Sequence, residues 1–134
     1  FNLNKGSVEA SQELIKKFIT ARKGQPYHQP SSGCIFMNVP ITDADDIRKK
    51  FVGEEKLDEF IKRGQLPSSW LIDQAGLKGK TIGGIQVSED HANYLINIGG
   101  GTAEQAVQMI SFIKQQVRDK FGIQLQEEVR YIGF

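Results

Sequence analysis

The chain has a single cysteine, Cys34. One thiol excludes an internal disulfide and a multi-cysteine zinc site. Only two histidines are present, His28 and His91. Neither has a second ligand at metal spacing, so no metal site is expected. An excess of charge of one sign is also missing. The 17 basic and 16 acidic side chains alternate along the chain, whereas nucleic-acid and anionic-membrane binders show a clustered basic excess. Neither partner is expected. There is no signal-like segment, and no apolar run approaches the roughly 18 residues of a membrane span. These absences point to a reducing, cytoplasmic compartment.

What remains is an ordinary globular composition, 134 residues and 15.0 kDa with 39% hydrophobic side chains. That is one domain's worth of chain, long enough to bury a core without covalent staples. The first residue is Phe1 rather than Met, which reads as a piece of a longer protein. Phe1 to Lys5 alternates like the end of a strand whose partners lie upstream.

The stretch from Trp70 to Ile98 carries the densest signals. Gly76, Gly79, Gly83 and Gly84 permit turns and close backbone approaches that a Cβ resists. Ile85 and Val87, then Tyr94, Ile96 and Ile98, read as two short strands with a turn over Ser88 to Asn93. Either this is a hairpin whose glycines only serve turns, or it is a glycine-shaped binding surface. Upstream, Ser7 caps a helix whose Val8, Leu14, Ile15, Phe18 and Ile19 share a face, with Gly24 as its stop. Residues 25–40 hold three prolines and exclude a helix, leaving Cys34 to Val39 as a short strand or extended loop. Thr42 is expected to cap a helix over 43–51, followed by a second over 54–63. Dense charge and a narrow apolar stripe make 41–66 read as a surface helical insertion, the least well packed part of the chain.

Pro67 and its serines open a short helix through Ala75 that buries Trp70 and Leu71. Thr102 with Gln105 is a capping box, starting a long helix with Val107, Ile110, Ile113 and Val117 inward and Gly122 at its end. The spacing then predicts a closing strand over 123–132. Ile123, Leu125, Val129 and Tyr131 take one face and Glu128 and Arg130 the other, with Glu127 on the apolar side. Helices at both ends with short strands between predict a single α+β domain with a mixed, largely antiparallel sheet packed against helices.

Candidate chemistry is sparse. Gly99-Gly100-Gly101-Thr102 lacks the spacing and the lysine of a phosphate loop, and Gly83-Gly84 is no dinucleotide fingerprint. Cys34 is either a small buried apolar group or a thiol acting as acid or nucleophile. A thiol pKa near ~8.5 leaves it mainly protonated at neutral pH, which suits a proton donor. Glu128, with Arg130 two residues on, is equally compatible with a solvated strand face.

Three stretches in register resemble the C-terminal substrate-binding domain of the UDP-N-acetylenolpyruvoylglucosamine reductase family, the UDP-N-acetylmuramate dehydrogenases. They are RKGQPYHQPSSGCIFMN (22–38), LIDQAGLKGKTIGGIQVSEDHANYLIN (71–97) and FGIQLQEEVRYIG (121–133). The match runs over nearly the whole chain apart from 41–66. The resemblance implies an oxidoreductase of bacterial peptidoglycan synthesis. It reduces UDP-N-acetylglucosamine enolpyruvate to UDP-N-acetylmuramate, with NADPH reducing a bound FAD. By position, Cys34 matches the proton donor and Glu128 the catalytic glutamate. Asn38 and His91 match substrate-facing positions, with Arg22 and Gln25 as further substrate-side candidates.

Three residues depart from the pattern. Met37 stands where the family has lysine, Val39 where proline follows the asparagine, and Glu127 where proline precedes the catalytic glutamate. The family binds FAD in N-terminal domains of the same chain, so this polypeptide alone is expected to bind no flavin and to be inactive. A stand-alone nucleotide-sugar-binding module that has lost catalysis is the competing reading, and retention of Cys34 with Glu128 speaks against it.

Overall fold

The computed structural model describes residues 6–21 and 29–133. Phe1 to Lys5 and Arg22, Gly24, Gln25 and His28 lie outside the described residues. Five helices and six short strands follow in order: α1 (Val8–Ala21), β1 (Ser31–Cys34), β2 (Val39–Pro40), α2 (Ala44–Lys50), α3 (Leu57–Arg63), β3 (Gln65–Leu66), α4 (Ser68–Gln74), β4 (Thr81–Ile82), β5 (Ile85–Val87), β6 (Tyr94–Asn97) and α5 (Ala103–Phe121). Four strands form one sheet in the order β1-β6-β5-β4, and β2 pairs with β3 in a second. Every pairing among the described residues is antiparallel, giving the expected α+β domain.

Local chemistry explains the elements that position the site. In α5 the Thr102 hydroxyl accepts from the Gln105 N–H, and the Gln105 side chain returns to the Thr102 N–H, closing the expected capping box. The same Gln105 oxygen accepts from the Gly84 N–H at 3.0 Å. A helix start is thereby tied to the two-residue Gly83–Gly84 turn that joins β4 to β5. Met109, Ile113 and Val117 line the buried stripe of α5, and Gly122 ends the helix in the left-handed region with φ +68°.

The structure departs from expectation at four places. The cap of α2 is Asp43, not Thr42: its carboxylate accepts from the Asp45 and Asp46 N–H groups, and a carboxylate also answers the helix dipole. Second, 41–66 is not loosely packed. Ile47, Phe51, Leu57, Phe60 and Leu66 are all buried. Phe51 packs on Trp70 and on Phe121 with ring centroids 4.7 and 4.9 Å apart, and Phe60 meets Trp70 edge-on at 5.2 Å. Third, the shared apolar face of α1 stays exposed at Val8, Leu14, Ile15, Phe18 and Ile19.

Fourth, no strand forms over 123–132. Ile123 and Leu125 are buried as the alternation demands, but Tyr131 and Ile132 are exposed. The segment makes only an isolated antiparallel bridge, Phe36 with Glu127. Its backbone bonds are Met37 N–H to the Gln126 carbonyl at 2.9 Å, Glu128 N–H to the Ile35 carbonyl at 2.8 Å and Val129 N–H to the same carbonyl at 3.4 Å. Among the described residues the neighbouring strand β1 ends at Cys34, and no longer ladder forms there.

Candidate functional site: a thiol and a carboxylate at the sheet edge

Cys34 is the last residue of edge strand β1 and stands opposite Tyr94 in the register with β6. The pairing brings the thiol within hydrogen-bonding reach of the Tyr94 and Asn93 side chains. Beyond it, the bridge to Ile35 sets Glu128 next to the same edge, close enough for its charge to act on the thiol. The two residues are far apart in sequence, and the bridge at Phe36 is what joins them.

The half-buried thiol is pushed above its ordinary value. Burial is the main cause, since a thiolate is poorly solvated there, and the Glu128 charge adds to it. The Tyr94 and Asn93 hydrogen bonds oppose the shift by favouring the thiolate. The group is therefore protonated at neutral pH, with two polar partners in place to receive the negative charge it acquires on losing its proton.

Asn93 builds this corner. It is buried, its side-chain oxygen accepts from the Phe36 N–H at 3.0 Å, and its amide donates to the Phe36 carbonyl at 2.8 Å. A side chain thus completes the ladder where β1 has ended. Asn93→Ala would leave both backbone groups of Phe36 unpaired and is expected to cost about 2–4 kcal/mol. Urea unfolding would read this as a lowered midpoint at unchanged slope.

His91 lies in the turn before β6, and its ring meets Tyr94 edge-on with centroids 4.7 Å apart. Its Nδ1 is buried without a hydrogen-bond partner among the described residues. Burial, with Lys78 nearby, holds its pKa below the ordinary value, so the ring is neutral at physiological pH. His91 also lines an open cavity of about 360 Å³ shared with Trp70, Lys56 and Lys78.

Asn38 sits further along the β1 segment. It is exposed, and its side-chain oxygen accepts from the Ser68 N–H at 3.2 Å, at the first turn of α4. The Ser68 hydroxyl in turn donates to the Met37 carbonyl. The structure thus brings Tyr94, Asn93 and Glu128 to Cys34, sets His91 against Tyr94, and places Asn38 at the α4 junction. Arg22 and Gln25 lie outside the described residues.

Sequence reasoning missed Tyr94 and Asn93 as parts of the site. Tyr94 read as an apolar strand position, and its polar end has meaning only once β1 is laid beside it. The glycine loop before α5 makes no anion cradle, because the Gly99 and Gly101 N–H groups are committed to the Asn97 side-chain oxygen at 2.9 and 3.1 Å. Among the described residues no cluster of three or more His, Cys, Asp or Glu could hold a metal ion. No helix among them is long and apolar enough to cross a membrane.

Fold and cluster together define an α+β domain that presents a polar, partly exposed site at one edge of an antiparallel sheet. Residues 25–132 match the C-terminal domain of UDP-N-acetylenolpyruvoylglucosamine reductase, and the chain belongs to that family. A UDP-N-acetylenolpyruvoylglucosamine reductase from Chlamydia abortus is 34% identical over 131 residues, 98% of this chain and 35% of that protein. One from Anoxybacillus flavithermus is 37% identical over 130 residues, 97% of this chain and 34% of that protein. The crystal structure of the Thermus caldophilus reductase is similar with a TM-score of 0.65 and 25% identity, covering 96% of this chain and 37% of that one. The chain thus spans about a third of the length of these relatives, all of them named as reductases.

Proposed function

We propose that this chain is the substrate-binding and proton-donating domain of a reductase that converts UDP-N-acetylglucosamine enolpyruvate to UDP-N-acetylmuramate. Its N-terminal FAD-binding domains would lie in the same polypeptide, and the reaction would take place in the cytoplasm during peptidoglycan synthesis. The observation that carries this reading is the juxtaposition of Cys34 and Glu128 in a chain whose relatives bear the reductase's name. The protein as a whole is the enzyme, and this domain is the half that faces the substrate.

FAD, reduced by NADPH and held outside this chain, would supply a hydride to C3 of the enolpyruvyl group. The residues here account for the other half of the addition. As the C2–C3 π pair moves onto C2 and its carboxylate, C2 needs a proton on demand and the carboxylate needs fixed polar groups. Cys34 supplies the proton from Sγ. The resulting thiolate is stabilised by Tyr94 and Asn93, and it recovers a proton from solvent before the next turnover. Burial, with the Glu128 charge adding to it, keeps the thiol protonated until that moment, and Glu128 orders the enol end of the substrate. Asn38 and His91 extend the surface on which the nucleotide sugar lies, with Arg22 and Gln25 as further contacts.

The test is substrate-dependent NADPH oxidation by the full-length protein. Absence of turnover with the enolpyruvyl ether, in a folded flavin-loaded protein, would overturn the assignment. The pH dependence follows with its sign fixed. A donor must be protonated, so activity is present below the raised pKa of Cys34 and lost as pH rises through it. Removing the Glu128 charge takes away one cause of the elevation, so Glu128→Gln is expected to move the alkaline limb of kcat to lower pH.

A further inference from the structure

Glu127 stands where the resembled pattern has proline, and the structure shows what it does instead. Its carboxylate accepts from Lys114 Nζ of α5 at 2.7 Å, with both side chains mostly covered. It also shares a hydrogen bond with the Tyr131 hydroxyl. Lys114 and Tyr131 therefore grip one carboxylate from two directions. In the extended segment around Phe36, successive side chains point to opposite sides. Glu127 turns to α5, and Glu128 turns to the Cys34 edge.

We propose that the Lys114–Glu127–Tyr131 cluster is a positioning strap that fixes the closing segment and so holds Glu128 beside Cys34; this rests on the roles proposed above for those two residues. Few backbone bonds tie the segment down: one to Met37 and two to the Ile35 carbonyl, the second long at 3.4 Å. A proline would restrict the backbone here by fixing φ. The side-chain strap achieves the same restriction through contacts with a rigid helix. Proline would fit, because 36 and 127 face each other as a non-hydrogen-bonded pair in which the neighbours, not residue 127, supply the N–H groups. Partial desolvation of the hydroxyl, together with the Glu127 bond and charge, pushes Tyr131 up to about 12 although the residue as a whole stays exposed, and Lys114 holds the Glu127 carboxyl below its usual range. The cluster thus keeps its hydrogen-bonding form across the working pH range.

Labelling of Cys34 by iodoacetamide as a function of pH tests the strap. It is followed by mass spectrometry of the Cys34 peptide in the full-length protein and needs no turnover. Glu128→Gln is expected to lower the labelling midpoint, because a charge that raises it is gone. Lys114→Ala and Glu127→Ala are expected to move the midpoint in that same direction, with labelling at pH 8 about two- to threefold faster than in the parent protein. Glu127→Pro is expected to restore the parent midpoint.

The two alanine variants remove opposite charges, so a direct Coulomb effect on the thiol would shift them in opposite directions. That result, or two unmoved midpoints beside a lowered one in Glu128→Gln, would overturn the strap. A midpoint unmoved even in Glu128→Gln would instead show that Glu128 does not stand beside the thiol. The strap and the assignment of Glu128 would then fall together.

Discussion

Cys34→Ala in the full-length protein is expected to lower kcat by about 10²–10⁴-fold, the usual worth of a positioned general acid, with little change in substrate affinity. The thiol is small and half-buried, so its removal leaves the Asn93 ladder and the Tyr94 ring in place. Cys34→Ser should recover part of the rate, because a hydroxyl at the same atom can also give a proton. It should also abolish the thiol's alkaline limb, since serine does not titrate in the accessible range. Pre-steady-state kinetics would separate the two half-reactions. The Ala variant is expected to accept electrons from NADPH at the parent rate and to be slow only with the enolpyruvyl substrate. An Ala variant with parental kcat would remove Cys34 from the mechanism. One slowed equally in both halves would point to a folding defect.

The double variant Cys34→Ala with Glu128→Gln adds a further check. Two groups acting on one transition state lose less together than the sum of their separate losses. Additive losses would mean that the residues act independently, contrary to the shared edge on which they sit.

How much of this could be read beforehand depends on how local each signal is. The capping box of α5 and the stop at Gly122 are contained in a few consecutive residues, and both were legible. So were β5 and β6, where alternation and flanking turns agree. The packing of 41–66 was not, because its charged helices show only a narrow stripe. The residues that complete it, Trp70 and Phe121, come from α4 and the end of α5. The closing segment misled for a similar reason. Its alternation is a true strand pattern, but pairing needs a partner, and β1 ends one residue before the bridge segment begins.

At the site, residue types alone left Cys34 and Glu128 ambiguous, and the resemblance to a family singled them out. Their proximity follows from the Phe36–Glu127 bridge, and the placing of Tyr94 and Asn93 beside the thiol from the β1–β6 register; neither has a short-range signature. The Lys114–Glu127 pair was hidden behind a departure from the pattern. The missing proline showed that something had changed there, while the compensating lysine lies a helix away.

Gly84→Ala is expected to be among the most destabilising single-methyl additions in the chain, at about 2–4 kcal/mol, beyond the usual cost of overpacking because the obstacle is backbone. A Cβ at Gly84 would overlap the Gly99 carbonyl oxygen and the Gly101 nitrogen and would come within 2.7 Å of the Gly101 Cα. None of these atoms belongs to a side chain that could rotate away. The loop cannot retreat easily either: Gly99 and Gly101 are held by Asn97, the Gly84 N–H is held by Gln105, and the Gly84 carbonyl accepts from Ile98 at 2.9 Å.

Gly83 is a useful comparison, since an added Cβ there would meet only the end of the Gln105 side chain, which can swing aside by giving up its bonds to Gly84 and Thr102, whereas backbone cannot. Its φ of +56° makes an ordinary residue costly for conformational reasons, so Gly83→Asn, which tolerates that region, should cost less than Gly84→Ala. Thermal unfolding of the two variants would decide it. If Gly84→Ala proved the milder, the close approach of the β4–β5 turn to the start of α5 would be wrong. The glycine pair would then be no more than turn chemistry.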